Sequence, residues 1–194
     1  MPRDRDRGQQ LLAEIQPHLE YEVQMLFGTA ALLQNLPHAT LKHAKQRCIH
    51  YALLEAFVIH ARALIDFLYT PPSAKPDDVL AEHFLVEELA RCKWKKDHST
   101  LPPLLDEARK RAGKELAHLS YVRASIAPDD KNYAFAEIAQ TILSELGEWI
   151  KLAPQDKVSD SLAQSISHGI AALSKTPTGR TVASTNGYSG VKLY

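Results

Sequence analysis

Glycine is scarce in this chain, 8 in 194 residues, and the 11 prolines fall mostly between segments of apolar periodicity. That punctuation belongs to a helical protein. Cysteine is rarer still. Cys48 and Cys92 have neither metal-ligand nor disulfide-framework spacing, which suits a reducing compartment. Charge of one sign is missing as well: 23 basic and 23 acidic side chains give a formal net charge of zero. A strongly charged partner is therefore implied by a patch at most, not by the whole molecule. No uninterrupted apolar run approaches the ~18 residues of a membrane span, and the opening MPRDRDRGQQLL lacks an apolar signal core. The sequence reads as a soluble cytoplasmic protein that does not engage a membrane. It holds no Gly-rich phosphate loop and no Cys–His or Ser–His–Asp nucleophile pattern.

What is present is enough apolar residue, 45%, to bury a core without covalent staples. Apolar periodicity predicts helices over roughly 9–34, 40–69, 77–90, 102–126, 131–152 and 158–174. Pro102 and Pro103 suit the first turn of the fourth, and Asp129 or Asp130 can cap the fifth. Four longer helices and short loops predict an all-α fold, an antiparallel bundle with shorter helices added. A single domain spans residues 1–174, and the basic, Ser/Thr/Gly-rich stretch 175–194 reads as a flexible tail.

The second helix is apolar nearly all round. About 100° per residue places His50, Phe57, Val58, Ala61, Ile65 and Leu68 around Leu54. Ile49, Leu53, Ala56, His60, Ala63 and Phe67 occupy the far side, so burial on most faces is expected. Glu55, Arg62 and Asp66 nevertheless line one flank. Charges on a buried helix must be paired or open onto a cavity. The stripe is thus either an ion-pair network that fixes register or the wall of a polar cleft. His60, alone on its face, reads as a satisfied core histidine.

On the fourth helix Leu101, Leu105, Ala108, Ala112, Leu116 and Leu119 form the expected buried stripe, with Arg111, Glu115 and His118 at its border. Border positions line grooves between helices, where a side chain can be half desolvated and still reach a ligand. The plain alternative is an i,i+4 Arg–Glu pair worth a few tenths of a kcal/mol. The segment Arg111-Ala-Gly-Lys-Glu-Leu-Ala-His118, preceded by the long helix "HYALLEAFVIHARALIDFLY", resembles the HEPN (higher eukaryotes and prokaryotes nucleotide-binding) domains over about residues 38–152. Those domains carry an Arg, four to six intervening residues and a His. A second match, Arg91 to His98, runs toward a loop and is set aside. Ala112 departs from the polar residue that commonly follows the HEPN arginine. Tyr121 stands three residues after His118, where some members have Tyr two after.

The resemblance implies an all-helical homodimer that cleaves RNA without a metal or cofactor, its two motifs meeting across the interface. It further implies a toxin–antitoxin or defence setting with an antitoxin-type protein partner. His118 would exchange the proton and Arg111 would clamp the phosphate, supported by Glu55, Arg62, Asp66, Glu115 and Tyr121. Residues 91–123 hold nine Lys or Arg against four acids, with Trp94 among the lysines, which reads either as a base-stacking platform for RNA or as a solvated basic loop. Two alternatives stay open. One is a non-catalytic module that binds a nucleotide or protein. The other is a metal-binding helical bundle using Glu115-Leu-Ala-His118, which lacks its second Glu-x-x-His motif.

Overall fold

A computed structural model of the chain describes residues 9–36, 43–112 and 133–174. Among these there is no β-strand. The fold is all-α, built from α1 (Gln9–Asn35), α2 (Ala44–Leu68), α3 (Glu88–Asp97), α4 (Pro103–Arg111), α5 (Phe135–Leu152) and α6 (Asp160–Ser174). Single turns of 3₁₀ helix at Ala81–Phe84 and Gln155–Lys157 complete it.

α1 and α2 form an antiparallel hairpin tied near its turn and again at the middle of α1. The His50 Nδ1–H donates to the Leu36 carbonyl over 3.1 Å, and His60 Nδ1 lies 2.7 Å from Glu22 Oε2. His60 is 8% exposed, so its polar ring is satisfied inside the core as expected. α6 closes on the other side of α1, where Glu20 Oε1 accepts hydrogen bonds from the Ser161 and Ser165 hydroxyls over 2.7 and 3.0 Å. Gly169 permits the close approach. A Cβ there would come within 3.0 Å of Phe27 and 3.1 Å of Leu143, tighter than packed carbon atoms tolerate.

α1, α2, α5 and α6 surround one core containing Leu26, Leu64, Ile142, Leu143 and Leu162, with α4 laid against α2. Each such side chain contributes about 1.5–3 kcal/mol on burial. Trp149 is fully buried between Phe67 and Phe84, edge-to-face with both at 5.1 and 5.3 Å. Its Nε1–H donates to the Ala81 carbonyl over 3.1 Å.

That bond corrects the third expected helix. Residues 77–90 do not form one helix; a 3₁₀ turn covers Ala81–Phe84, and α3 starts only at Glu88. Trp149 claims the Ala81 carbonyl. Arg91 donates to the carbonyls of Leu85 and Val86, so the chain between the two elements is held by side chains instead of a helical ladder. Pro102 and Pro103 do open α4. The expected continuation of that helix to 126, the capping residues Asp129 and Asp130, and the tail 175–194 lie outside the described residues.

α2 also departs from expectation. It is buried through Phe57, Val58, Ala61, Leu64, Ile65 and Leu68, but Ile49 and Ile59 are 56% and 62% exposed, and Ala52 and Ala63 are exposed too. Among the described residues it is the one helix long and apolar enough, by length and composition, to cross a membrane. Its inner side packs in the protein core.

Candidate functional site

α4 turns Leu105, Ala108 and Ala112 into the core, with Leu101 half-buried before them, as the periodicity predicts. This seats the helix on the second half of α2 and delivers a basic side chain to the charged stripe there. The side chain is Arg109. Its Nε lies 2.8 Å from Asp66 Oδ1, while Arg62 Nε lies 3.6 Å from Asp66 Oδ2. Asp66 Oδ1 is buried and receives no well-directed hydrogen bond, so Arg109 neutralises its charge from off the N–H axis.

Burial pushes the Asp66 carboxyl above its ordinary value of 3.8; Arg109 and then Arg62 pull it back, and Asp78 adds a small upward push. Desolvation wins, so the two guanidiniums do not fully repay the cost of taking this carboxylate out of water.

Of the residues expected in the site, the structure joins Arg62 and Asp66, and leaves Glu55 exposed on the flank. The Arg111 guanidinium lies over the Tyr133 ring, 4.0 Å from the centroid. Glu115, His118 and Tyr121 lie outside the described residues. Arg109 is the site residue that the sequence reading missed. It stands about 40° from Leu105 at ~100° per residue, nearer the centre of the apolar stripe than Arg111. An arginine so placed signals a buried partner.

The basic stretch on α3 is not a base-stacking platform. Trp94 is 3% exposed, and its ring is stacked on His98 with centroids 3.5 Å apart. Lys95 is paired with Glu82 at 2.7 Å. Arg91 lies within α3 and His98 caps its end, so the segment runs out of a helix there. Both are occupied structurally, Arg91 on loop carbonyls and His98 between the Trp94 carbonyl (3.1 Å) and Glu145 (2.9 Å). Tyr69 joins this buried group. Burial first, and Glu145 second, hold its hydroxyl well above the ordinary 10.0.

Among the described residues no group of three or more His, Cys, Asp or Glu side chains is placed to hold a metal ion. Among the described residues, Glu82, His83, Glu88, Arg91, Cys92 and Lys95 line a shallow dent. No family model, curated protein or solved structure matches the chain.

Proposed function

We propose that the chain is a HEPN-like RNA-binding protein, a metal-independent ribonuclease of the cytoplasm, with its site on the basic end of α4. The observation that supports this best is the pair of anchored arginines there. Arg109 is held by Asp66, and Arg111 is oriented by Tyr133. Stacking engages the face of a guanidinium, whereas phosphate is bound by its edge, so an oriented arginine suits a backbone phosphate. His118, seven residues beyond Arg111 in the sequence, supplies the proton-transfer group in this reading.

The chemistry balances without a metal. The imidazole takes the ribose 2′-OH proton, the 2′-oxygen attacks phosphorus, the bond to the 5′-oxygen breaks as that oxygen takes a proton back from the imidazolium, and the guanidinium stabilises the charge that builds. A 2′,3′-cyclic phosphate and a 5′-hydroxyl result. The test is cleavage of single-stranded RNA in the presence of a chelator, with the ends identified. Arg111→Ala should lower both RNA affinity and rate, because the clamp holds the phosphate in the ground state and more strongly as charge builds in the transition state. His118→Ala should lower the rate by roughly 10²–10⁴-fold. Cleavage indifferent to His118→Ala would place the activity elsewhere.

A second reading, a non-catalytic nucleotide- or protein-binding module, draws on Ala112. At 5% exposure it is a core residue, where the HEPN pattern commonly has a polar one. RNA binding without cleavage would select it.

A further inference from the structure

The outer face of α2 serves no purpose in the reading above, and its pattern is specific. Ile49, Ala52, Ala56, Ile59 and Ala63 recur at alternating steps of three and four residues. This is the heptad spacing by which one helix packs along another. Ile49 and Ile59 are 56% and 62% exposed; Ala52 and Ala63 are exposed and Ala56 is half-buried. Glu55 and Arg62, seven residues apart and both exposed, run along one edge of this stripe. α1 runs along the other edge, where Tyr21 sets its ring edge-on to His60 at 5.4 Å. Tyr21 and Leu32, about three turns apart on one face of α1, are themselves 52% and 54% exposed.

We propose that this face binds a second copy of the chain, α2 against α2 in the antiparallel sense. Charge selects that occupant. Laying the two stripes antiparallel about a two-fold axis sets position 56 of one copy against 59 of the other. Ala52 then falls level with the second copy's Ala63, and Ile49 with its Asp66. The same register brings Glu55 beside the second copy's Arg62, and symmetry repeats the pair. The parallel sense puts the two charged edges on opposite sides of the seam and forms neither pair. Alanines at the centre let the axes approach to about 8 Å, with the two isoleucines as knobs. The 3.6 Å contact of Arg62 with its own Asp66, at 47% side-chain exposure, is loose enough to be shared with an incoming carboxylate.

This arrangement differs from the one the HEPN resemblance implies. Seventeen residues separate 49 from 66, so the Arg109–Asp66 groups of the two copies stand about 25 Å apart along the seam instead of meeting across it. The pairing does not depend on RNA binding and is tested without RNA.

The experiment is the mass of the full chain by sedimentation equilibrium, with circular dichroism to show that each variant is folded. The wild type should weigh about twice 21.6 kDa. Glu55→Arg and Arg62→Glu each turn two attractions into two repulsions, weakening the dimer on the order of tenfold or more. Mixing the two variants should restore it, because one copy then brings two arginines and the other two glutamates. A wild-type mass of 21.6 kDa would overturn the proposal. So would a dimer insensitive to the charge reversals and to Ile59→Asp, or a mixture that stays monomeric. A monomer that sediments with phosphatidylcholine–phosphatidylserine vesicles, and no longer does so as Ile59→Asp, would assign the face to a bilayer instead.

Discussion

Replacing Arg109 with Ala tests the centre of the candidate site. The substitution leaves Asp66, whose side chain is 31% exposed, with Arg62 as its remaining close cation at 3.6 Å. Breaking a fully buried ion pair costs about 3–5 kcal/mol, and an exposed one is worth about 0.2–1 kcal/mol. The Arg109 and Asp66 side chains, 22% and 31% exposed, sit between these limits, so a loss of about 1–2 kcal/mol is expected at neutral pH. For a chain of this length that lowers Tm by about 2–8 °C.

The sign of the pH dependence is fixed by Asp66. Its folded-state pKa already lies above 3.8 through burial, and loss of Arg109 raises it further. Above that folded pKa the carboxylate is charged in both proteins, and the variant carries the full deficit. As pH falls through it toward 3.8, Asp66 takes up a proton and the deficit shrinks. Thermal melts followed by far-ultraviolet circular dichroism, at neutral pH and near pH 4, measure both effects. A variant as stable as wild type at neutral pH would refute the assignment, as would a deficit unchanged by acid. Arg109→Lys, which keeps the charge, should recover part of the loss.

Two further outcomes follow from the core. Trp149→Phe removes the donor to the Ala81 carbonyl and leaves a gap between Phe67 and Phe84; urea unfolding should show a loss of about 2–4 kcal/mol, and a change near zero would mean that the bond is not holding the 3₁₀ turn. Tyr69→Phe should flatten the alkaline stability profile: the folded tyrosine keeps its proton above 10.0 while the unfolded one releases it, so wild-type stability falls as pH rises past about 10, and equal slopes for the two proteins in urea titrations at pH 9 and 11 would contradict this.

The parts of the fold legible in the sequence are those where one helix buries one stripe. α1, α5 and α6 fall close to their expected bounds, and α4 turns Leu105, Ala108 and Ala112 inward as its periodicity requires. Where tertiary contacts decide, periodicity misleads. Ala81 to Leu85 carry helical spacing, yet a tryptophan far along the chain takes one of their carbonyls. On α2, isoleucine and alanine read as buried on both sides, although hydropathy alone does not distinguish a core face from an exposed apolar one. Trp94 has the composition of a nucleic-acid platform, but its ring is packed on His98. The candidate site was legible by half. The Arg62–Asp66 pair follows from i,i+4 spacing, whereas Arg109 required weighing how deep in the apolar stripe an arginine sits.

The chain has two tryptophans, Trp94 and Trp149, and both are shielded from water. Trp94 stacks on His98, which is bonded to Glu145 of α5, and Trp149 meets the end of α2 and the 3₁₀ turn. The seam where Glu20 of α1 holds Ser161 and Ser165 of α6 contains neither. Intrinsic fluorescence is therefore a spatially selective gauge with a blind side. Fraying of α6 from α1 would dim the helical dichroism while leaving the emission maximum in place, so disagreement between the two signals during denaturation would locate the first segment to let go.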